Sequence, residues 1–421
     1  MGNDRQTGTI AVPPLAVAKH NAKSRGDRDA ESAATTFTSS FGSFDLVRSP
    51  RSGGERLQAW DGADRLLLST AAEHLLVGKP QRVLLVGDRF GALTLATAAW
   101  QPSGWTDSAV SVQAIAHNAA RNGVVVALPE PPPSPPYVAA ADAVEPVDLV
   151  LWHIPRNAAY LQRQAAAVRA VVGETTTIVA AGLDKHLPTT ARQILTAIGS
   201  TTTLPGAHKA HAFRVRPAPA VDEPTASEPV AAEIPVPEFG LRLDGGINVF
   251  SADRIDLGAR VMLGAIDRLT DVRRIADLGC GNGVLGLAAK RRLGAASVAF
   301  FDESSAAIEV TLRNASANFD ADVVRDDVST WWTDGMHAYE GEGFDLILCN
   351  PPFHEQGAVT DETAWSMFSD ARDHLLVNGE LWVVGNRHLN YHLKLQRLFG
   401  NCAHLSGHPK YVVLRAVKRA R

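Results

Sequence analysis

Cysteine is scarce in this chain of 421 residues: Cys280, Cys349 and Cys402 are all it has. They form no C-x-x-C pair and no even framework. That excludes a disulfide scaffold and a cysteine-based zinc centre, and it fits a reducing, cytoplasmic setting. Long apolar runs are lacking as well, so no membrane span and no membrane partner are expected. An excess of basic residues is also missing. The 41 Lys and Arg face 45 Asp and Glu, for a formal net charge of −4, which gives no global signature for nucleic acid. The basic clusters Lys290-Arg291-Arg292 and Lys418-Arg419-Ala420-Arg421 read as a solvated helix end and a frayed tail. There is no P-loop, nucleophile elbow or zinc signature. His388 and His392 stand four apart but lack a glutamate or third ligand, so they read as helix-surface histidines and no metal is expected.

What is there is an ordinary globular composition, 45% apolar and 20% charged, in a chain long enough for two cored domains. Residues 1–40 are polar, without a signal-peptide core, and are expected to be a disordered tail. The stretch Arg216 to Glu238 is rich in Pro, Ala and acid, and its residues 217–236 are expected to link a domain at 41–216 to one at 237–421. A shorter Pro-rich piece, Leu128 to Pro136, reads as a surface loop. Both halves alternate strand-like and helix-like segments, which predicts α/β domains with parallel sheets.

The second half carries the sharper chemistry. "DLGCGNG" places Gly279, Gly281 and Gly283 between a strand ending at Leu278 and a helix from about Val284. Glycine there lets the chain turn with positive φ and lets a ligand approach the backbone. Asp277 precedes the turn, Asn282 lies within it, and Asp302 followed by Glu303 ends the next strand 25 residues on. An acid at that position accepts hydrogen bonds from ribose hydroxyls. This spacing alone does not separate NAD from S-adenosylmethionine. The loop lacks the G-x-G-x-x-G spacing that seats a pyrophosphate on a helix N-terminus, and S-adenosylmethionine has none to seat. Asp326 and Asp327 are expected to follow a further short strand, with Asp327 the better placed to accept an adenine amine.

"FDLILCNPPFH" ends a core strand in Asn350, Pro351, Pro352, Phe353 and His354. The Asn350 side-chain oxygen and the Pro351 carbonyl are two acceptors, able to hold both hydrogens of an exocyclic amine and turn its lone pair toward an electrophile. The prolines fix the backbone beforehand. Phe353 offers a face on which a flipped-out base can stack, and His354 either a donor to base or phosphate or a structural role.

The first half repeats this order. "RVLLVGDRFG" stands against "RIADLGCGNG", and "VDLVLWHIPRN" against "FDLILCNPPFH". Asp107 precedes a helix with Asn118 and Asn122, as Asp302 precedes one with Asn314 and Asn318. The pattern predicts an internal duplication whose first copy kept its packing and lost its site.

The segments "DLGCGNGVLGL", "LCNPPFHEQGAVTDETAWSMF" and "NRHLNYHLKLQRLFGNC" resemble the bacterial rRNA guanine-N2 methyltransferases. Among these, type G acts on rRNA of the large ribosomal particle and type C on that of the small one, and the resemblance to type G is the stronger. The resemblance implies two tandem class I methyltransferase-like, Rossmann-like domains, the N-terminal one degenerate. It implies S-adenosylmethionine as cofactor, held by Asp277, Gly279, Gly281 and Asp302, with Phe250 and Asp256 in a segment lying over it. It implies Asn350, Pro351, Pro352 and Phe353 at the target amine. Ribosomal RNA is the implied partner, and Arg156 of the N-terminal domain is a candidate RNA contact. Small-subunit rRNA, a protein glutamine and adenine N6 are alternative targets, and a non-catalytic ribosome-assembly module is a further alternative.

Overall fold

Two runs of fully buried aliphatic residues, Val83–Val86 and Leu346–Leu348, start the architecture: strands covered on both faces read as continuous apolar stretches. The computed structural model describes residues 34–48, 57–74, 80–132, 146–219, 230–352 and 358–420. These divide into two units at Val230/Ala231.

The N-terminal unit opens with a hairpin, β1 (Thr36–Ser39) and β2 (Gly42–Asp45), followed by α1 (Gly62–His74), β3 (Val83–Val86), α2 (Ala92–Ala96), β4 (Ser103–Trp105) and α3 (Ala109–Asn122). It continues with β5 (Val147–His153), α4 (Ala158–Val171), β6 (Val172–Leu183), α5 (Ala191–Thr196), β7 (Gly199–Thr203) and β8 (Ala210–Pro217). The sheet order is β4-β3-β5-β6-β8-β7, parallel up to β6 and antiparallel beyond.

The C-terminal unit starts with a hairpin, β9 (Glu233–Val236) and β10 (Leu241–Asp244), then α6 (Leu257–Ile266), β11 (Arg274–Leu278), α7 (Val284–Leu293), β12 (Ser297–Asp302), α8 (Ser305–Asn318), α9 (Ala321–Asp327) and β13 (Val328–Trp332). It ends with β14 (Phe344–Cys349), α10 (Ala358–His374), β15 (Leu375–Asn386), α11 (Tyr391–Phe399), β16 (Ala403–Gly407) and β17 (Tyr411–Val417). Its sheet order is β13-β12-β11-β14-β15-β17-β16, parallel up to β15 and antiparallel beyond. In each unit the reversal of chain order beside the first central strand, β3 or β11, creates the crevice at the carboxyl ends of parallel strands where ligands bind.

The duplication is visible bond for bond. Asn314 accepts from Asp244 N at 2.7 Å and donates to the carbonyls of Asp244 and Asn282; Asn118 accepts from Val47 N at 3.0 Å and donates to those of Val47 and Phe90. One turn on, Asn318 and Asn122 repeat the pattern against Arg242 and Asp45. Asp345 and Asp148 each accept two consecutive backbone N–H groups at the start of the neighbouring strand. The two buried amides, Asn314 and Asn118, satisfy backbone groups that would otherwise be stranded away from water.

Three expectations change. The tail expected over residues 1–40 overlaps β1, because Phe37 is fully buried in the N-terminal core. The linker expected over 217–236 is narrower: Pro217 ends β8 and Glu233–Val236 forms β9, while residues 220–229 lie outside the described residues. Part of the expected loop at 128–136 runs along the sheet edge, where Glu130 N donates to Gly104 O at 2.9 Å and Glu130 O accepts from Thr106 N at 2.8 Å; residues 133–136 lie outside the described ones.

Candidate active site

The glycine turn follows β11. Gly279, Gly281 and Gly283 have φ of +74°, +58° and +80°, which a side chain would strain. The turn is held from outside: Gly279 N and Cys280 N donate to Phe301 O at 2.8 and 3.1 Å, and Thr311 Oγ1 donates to Gly281 O at 3.1 Å. Asn282 is buried, and its side-chain oxygen accepts from Val284 N at 3.3 Å. A Cβ on Gly281 would meet only Val249, at 3.9 Å, so this backbone is open to a ligand.

Two carboxylates frame the turn. Asp302 Oδ2 accepts from Gly281 N at 2.9 Å and its Oδ1 from Ser304 N at 2.9 Å, at the start of α8. Asp277 is buried; Oδ2 accepts from Gly286 N at 2.8 Å, while Oδ1 has no partner among the described residues. Burial pushes the Asp277 pKa up to about 7; the Gly286 bond opposes this and the Asp302 charge adds to it. Burial also raises the Cys280 and Cys349 thiols well above their usual range, so neither is a nucleophile.

Asn350 stands just past β14, beside β11. Its Nδ2 donates to Asp256 Oδ2 at 3.1 Å. Its Oδ1 is buried and has no partner among the described residues. Asp256 is the N-cap of α6, its Oδ1 accepting from Gly258 N at 2.7 Å and Ala259 N at 3.2 Å. Because a carboxylate only accepts, the NH2 end of the amide faces Asp256 and the oxygen faces away. Pro351 is buried and Pro352 exposed. Phe353 and His354 lie outside the described residues.

Phe250 is half exposed and, with Ile255, Asp256, Leu257 and Arg260, lines a cavity of about 480 Å3. Glu303 is exposed, and its carbonyl accepts from Trp332 Nε1 at 2.8 Å. Asp327 is not where the sequence placed it. It ends α9 and precedes β13 rather than following a strand, and its carboxylate accepts from the buried Lys290 Nζ at 2.6 Å. Asp302 pairs with Trp332 at the far end of β13, so at about 3.3 Å per residue Asp327 lies some 16 Å down the sheet from the turn. Asp326 is paired with Arg325. The acid past the carboxyl end of β13 is Asp334, next to Thr333, whose N–H donates to Asp302 O at 2.9 Å; burial raises its pKa. Finding it required knowing where β13 starts.

In the N-terminal unit the first and last glycines of the turn are kept as Gly87 and Gly91, but other positions have changed. Leu85 stands for Asp277, Arg89 for Gly281 and His153 for Asn350. Gly87 N donates to Trp105 O as Gly279 N does to Phe301 O, so Thr106 and not Asp107 is the counterpart of Asp302. Thr106 Oγ1 accepts from Ser108 N at 3.3 Å, as Asp302 accepts from Ser304 N. Asp61, Asp64 and His153 cluster closely enough to suggest a cation site, but the Arg89 guanidinium already reaches Asp61 Oδ2 at 2.6 Å. Arg156 is exposed, and its Nη2 donates to His186 Nε2 at 2.7 Å.

Fold and site define a Rossmann-like methyltransferase with a second, degenerate copy of the same domain. A family model described as Methyltransferase small domain matches residues 241–415, and one described as RLMG N-terminal domain matches residues 34–219. Ribosomal RNA large subunit methyltransferase G of Streptomyces griseus is 38% identical over 396 residues, covering 91% of this chain and 99% of the relative. Its counterpart in Pseudomonas aeruginosa is 38% identical over 385 residues, with 91% and 99% covered. The T. thermophilus 16S rRNA N2 methyltransferase, solved with AdoMet and guanosine, has the same fold, with a TM-score of 0.67 at 20% identity, covering 91% of this chain and 98% of that one. The chain belongs to the ribosomal RNA large subunit methyltransferase G family.

Proposed function

We propose that this protein transfers the methyl group of S-adenosylmethionine to the exocyclic N2 amine of a guanine in large-subunit ribosomal RNA. The observation that carries the reading is the Asn350 amide: one end is held by Asp256, and the other is a buried acceptor with no donor among the described residues. Leaving such an atom unsatisfied costs about 1–3 kcal/mol, a cost that a bound amine removes. The Asn350 oxygen and the Pro351 carbonyl take the two amine hydrogens and leave the nitrogen lone pair facing the methyl donor. The prolines keep both acceptors in place before substrate arrives. Phe353 stacks on the guanine and His354 donates to it or to its phosphate.

The cofactor supplies a methyl group already activated on a sulfonium, so a strong general base is not required. The residues present fit it. Asp277 offers an unpartnered buried oxygen to the cofactor's cationic end. Gly281 offers open backbone within the turn that Gly279 and Asn282 complete, Asp302 and Glu303 face the ribose, and Phe250 covers the site.

The N-terminal unit grips the RNA. Arg156 and Lys185, together with Arg89, lie close enough to His186 to lower its pKa, after burial. A group of cations without base-reading geometry positions phosphates. The protein works in the cytoplasm, where rRNA is made and assembled. The test is to incubate the protein and labelled S-adenosylmethionine with rRNA from a strain lacking it. Label in one guanine N2 of the large-subunit rRNA is expected; label on adenine, on ribosomal protein or nowhere would overturn the reading.

A further inference from the structure

We infer that Asp256 is the positioning residue that aims Asn350, a role that rests on the amine-holding part given to Asn350 above. Asp256 divides its two oxygens between two tasks. Oδ1 caps α6 through Gly258 N and Ala259 N, which fixes the carboxylate on a rigid element. Oδ2 is left for Asn350 Nδ2, at 3.1 Å. An unguided amide could present either end to the substrate. With its NH2 group outward it would meet an amine donor with a donor. The capping carboxylate removes that choice, because it has only acceptors to offer. The result is an Asn350 Oδ1 that faces away from Asp256, buried and without a partner among the described residues.

The N-terminal unit supplies an independent observation. There Asp61 accepts from Ala63 N at 2.8 Å at the start of α1, and the same oxygen lies 3.3 Å from His153 Nε2. The contact from a capping aspartate to the tip of the central strand is therefore built into both copies. In the copy where His153 replaces Asn350, Asp61 binds Arg89 and His153 instead.

The test is a residue exchange in the full-length protein, measuring methyl transfer to rRNA and cofactor affinity side by side. Asp256→Asn keeps a good N-cap, so melting temperature and cofactor affinity are expected to hold. Its new amide confronts Asn350 with a donor, and kcat is expected to fall on the order of a hundredfold. Asn350→Asp sets two carboxylates face to face and is expected to be similarly slow. In the double variant the amide at 256 donates to the carboxylate at 350, whose second oxygen again faces the amine, and kcat is expected to recover about tenfold or more over either single variant. Three results would overturn the proposal: wild-type turnover by Asp256→Asn, a double variant no faster than the singles with cofactor still bound, or a loss confined to cofactor affinity. Wild-type turnover by Asn350→Ala would instead remove the underlying reading of the site.

Discussion

Arg89 Nη2 donates to Asp61 Oδ2 at 2.6 Å, from the turn position that Gly281 occupies in the C-terminal unit. A long cationic side chain thus stands where the other copy offers bare backbone. Leu85 and Thr106 replace both framing acids, so the N-terminal unit lacks the two carboxylates that flank the turn in the C-terminal unit. Calorimetry on the full-length protein is expected to show a single S-adenosylmethionine site. Asp302→Ala is expected to weaken it at least tenfold, because the Gly281 N–H loses its acceptor and the ribose its partner. Arg89→Gly is expected to create no second site; a stoichiometry of two would contradict the account of the degenerate copy.

Asn350→Ala removes one preorganised acceptor from the reacting amine. Losing such a group costs on the order of 3 kcal/mol, a hundredfold or more in kcat. Cofactor affinity is expected to stay near wild type, since Asn350 bonds Asp256 and not the glycine turn. Single-turnover methyl transfer and calorimetry separate the two effects.

Asp277 keeps its proton up to about pH 7 in the folded chain, against an ordinary value of 3.8. Between those limits the folded state binds more protons than the unfolded one, so this group's contribution to stability falls as pH rises from about 4 to 7. Asp277→Asn retains an acceptor for Gly286 and is expected to flatten that decline in denaturant titrations at about pH 5 and pH 8. The ionised carboxylate attracts the cationic cofactor. Affinity is therefore expected to rise with pH through about 7 in the wild type and to stay level in the variant.

Arg156→Ala and Lys185→Ala test the grip of the N-terminal unit on RNA. Each is expected to weaken rRNA binding across sequences and to reduce the slope of log affinity against log salt by about one unit. Single-turnover chemistry at saturating RNA is expected to be unchanged. Equal salt slopes for wild type and both variants would leave the C-terminal unit to find its guanine unaided.

The sequence alone determined the α/β class, the duplication and the strand-end placement of the candidate site's residues. Gly279, Gly281, Asp302 and Asn350 were legible because a strand followed by glycines, an acid at a strand end and a tip locked by proline are all local patterns. Patterns of that kind do not locate a strand's first residue. The local pattern therefore places Asp327 after a strand, whereas it precedes β13, and sets Asp107 against Asp302, whereas Thr106 is the counterpart. Only the tertiary structure decided which way Asn350 faces. Its partner Asp256 is 94 residues away in the chain. The two meet because the start of α6 lies beside the tip of β14, and an amide is oriented by the group packed against it rather than by its neighbours in sequence.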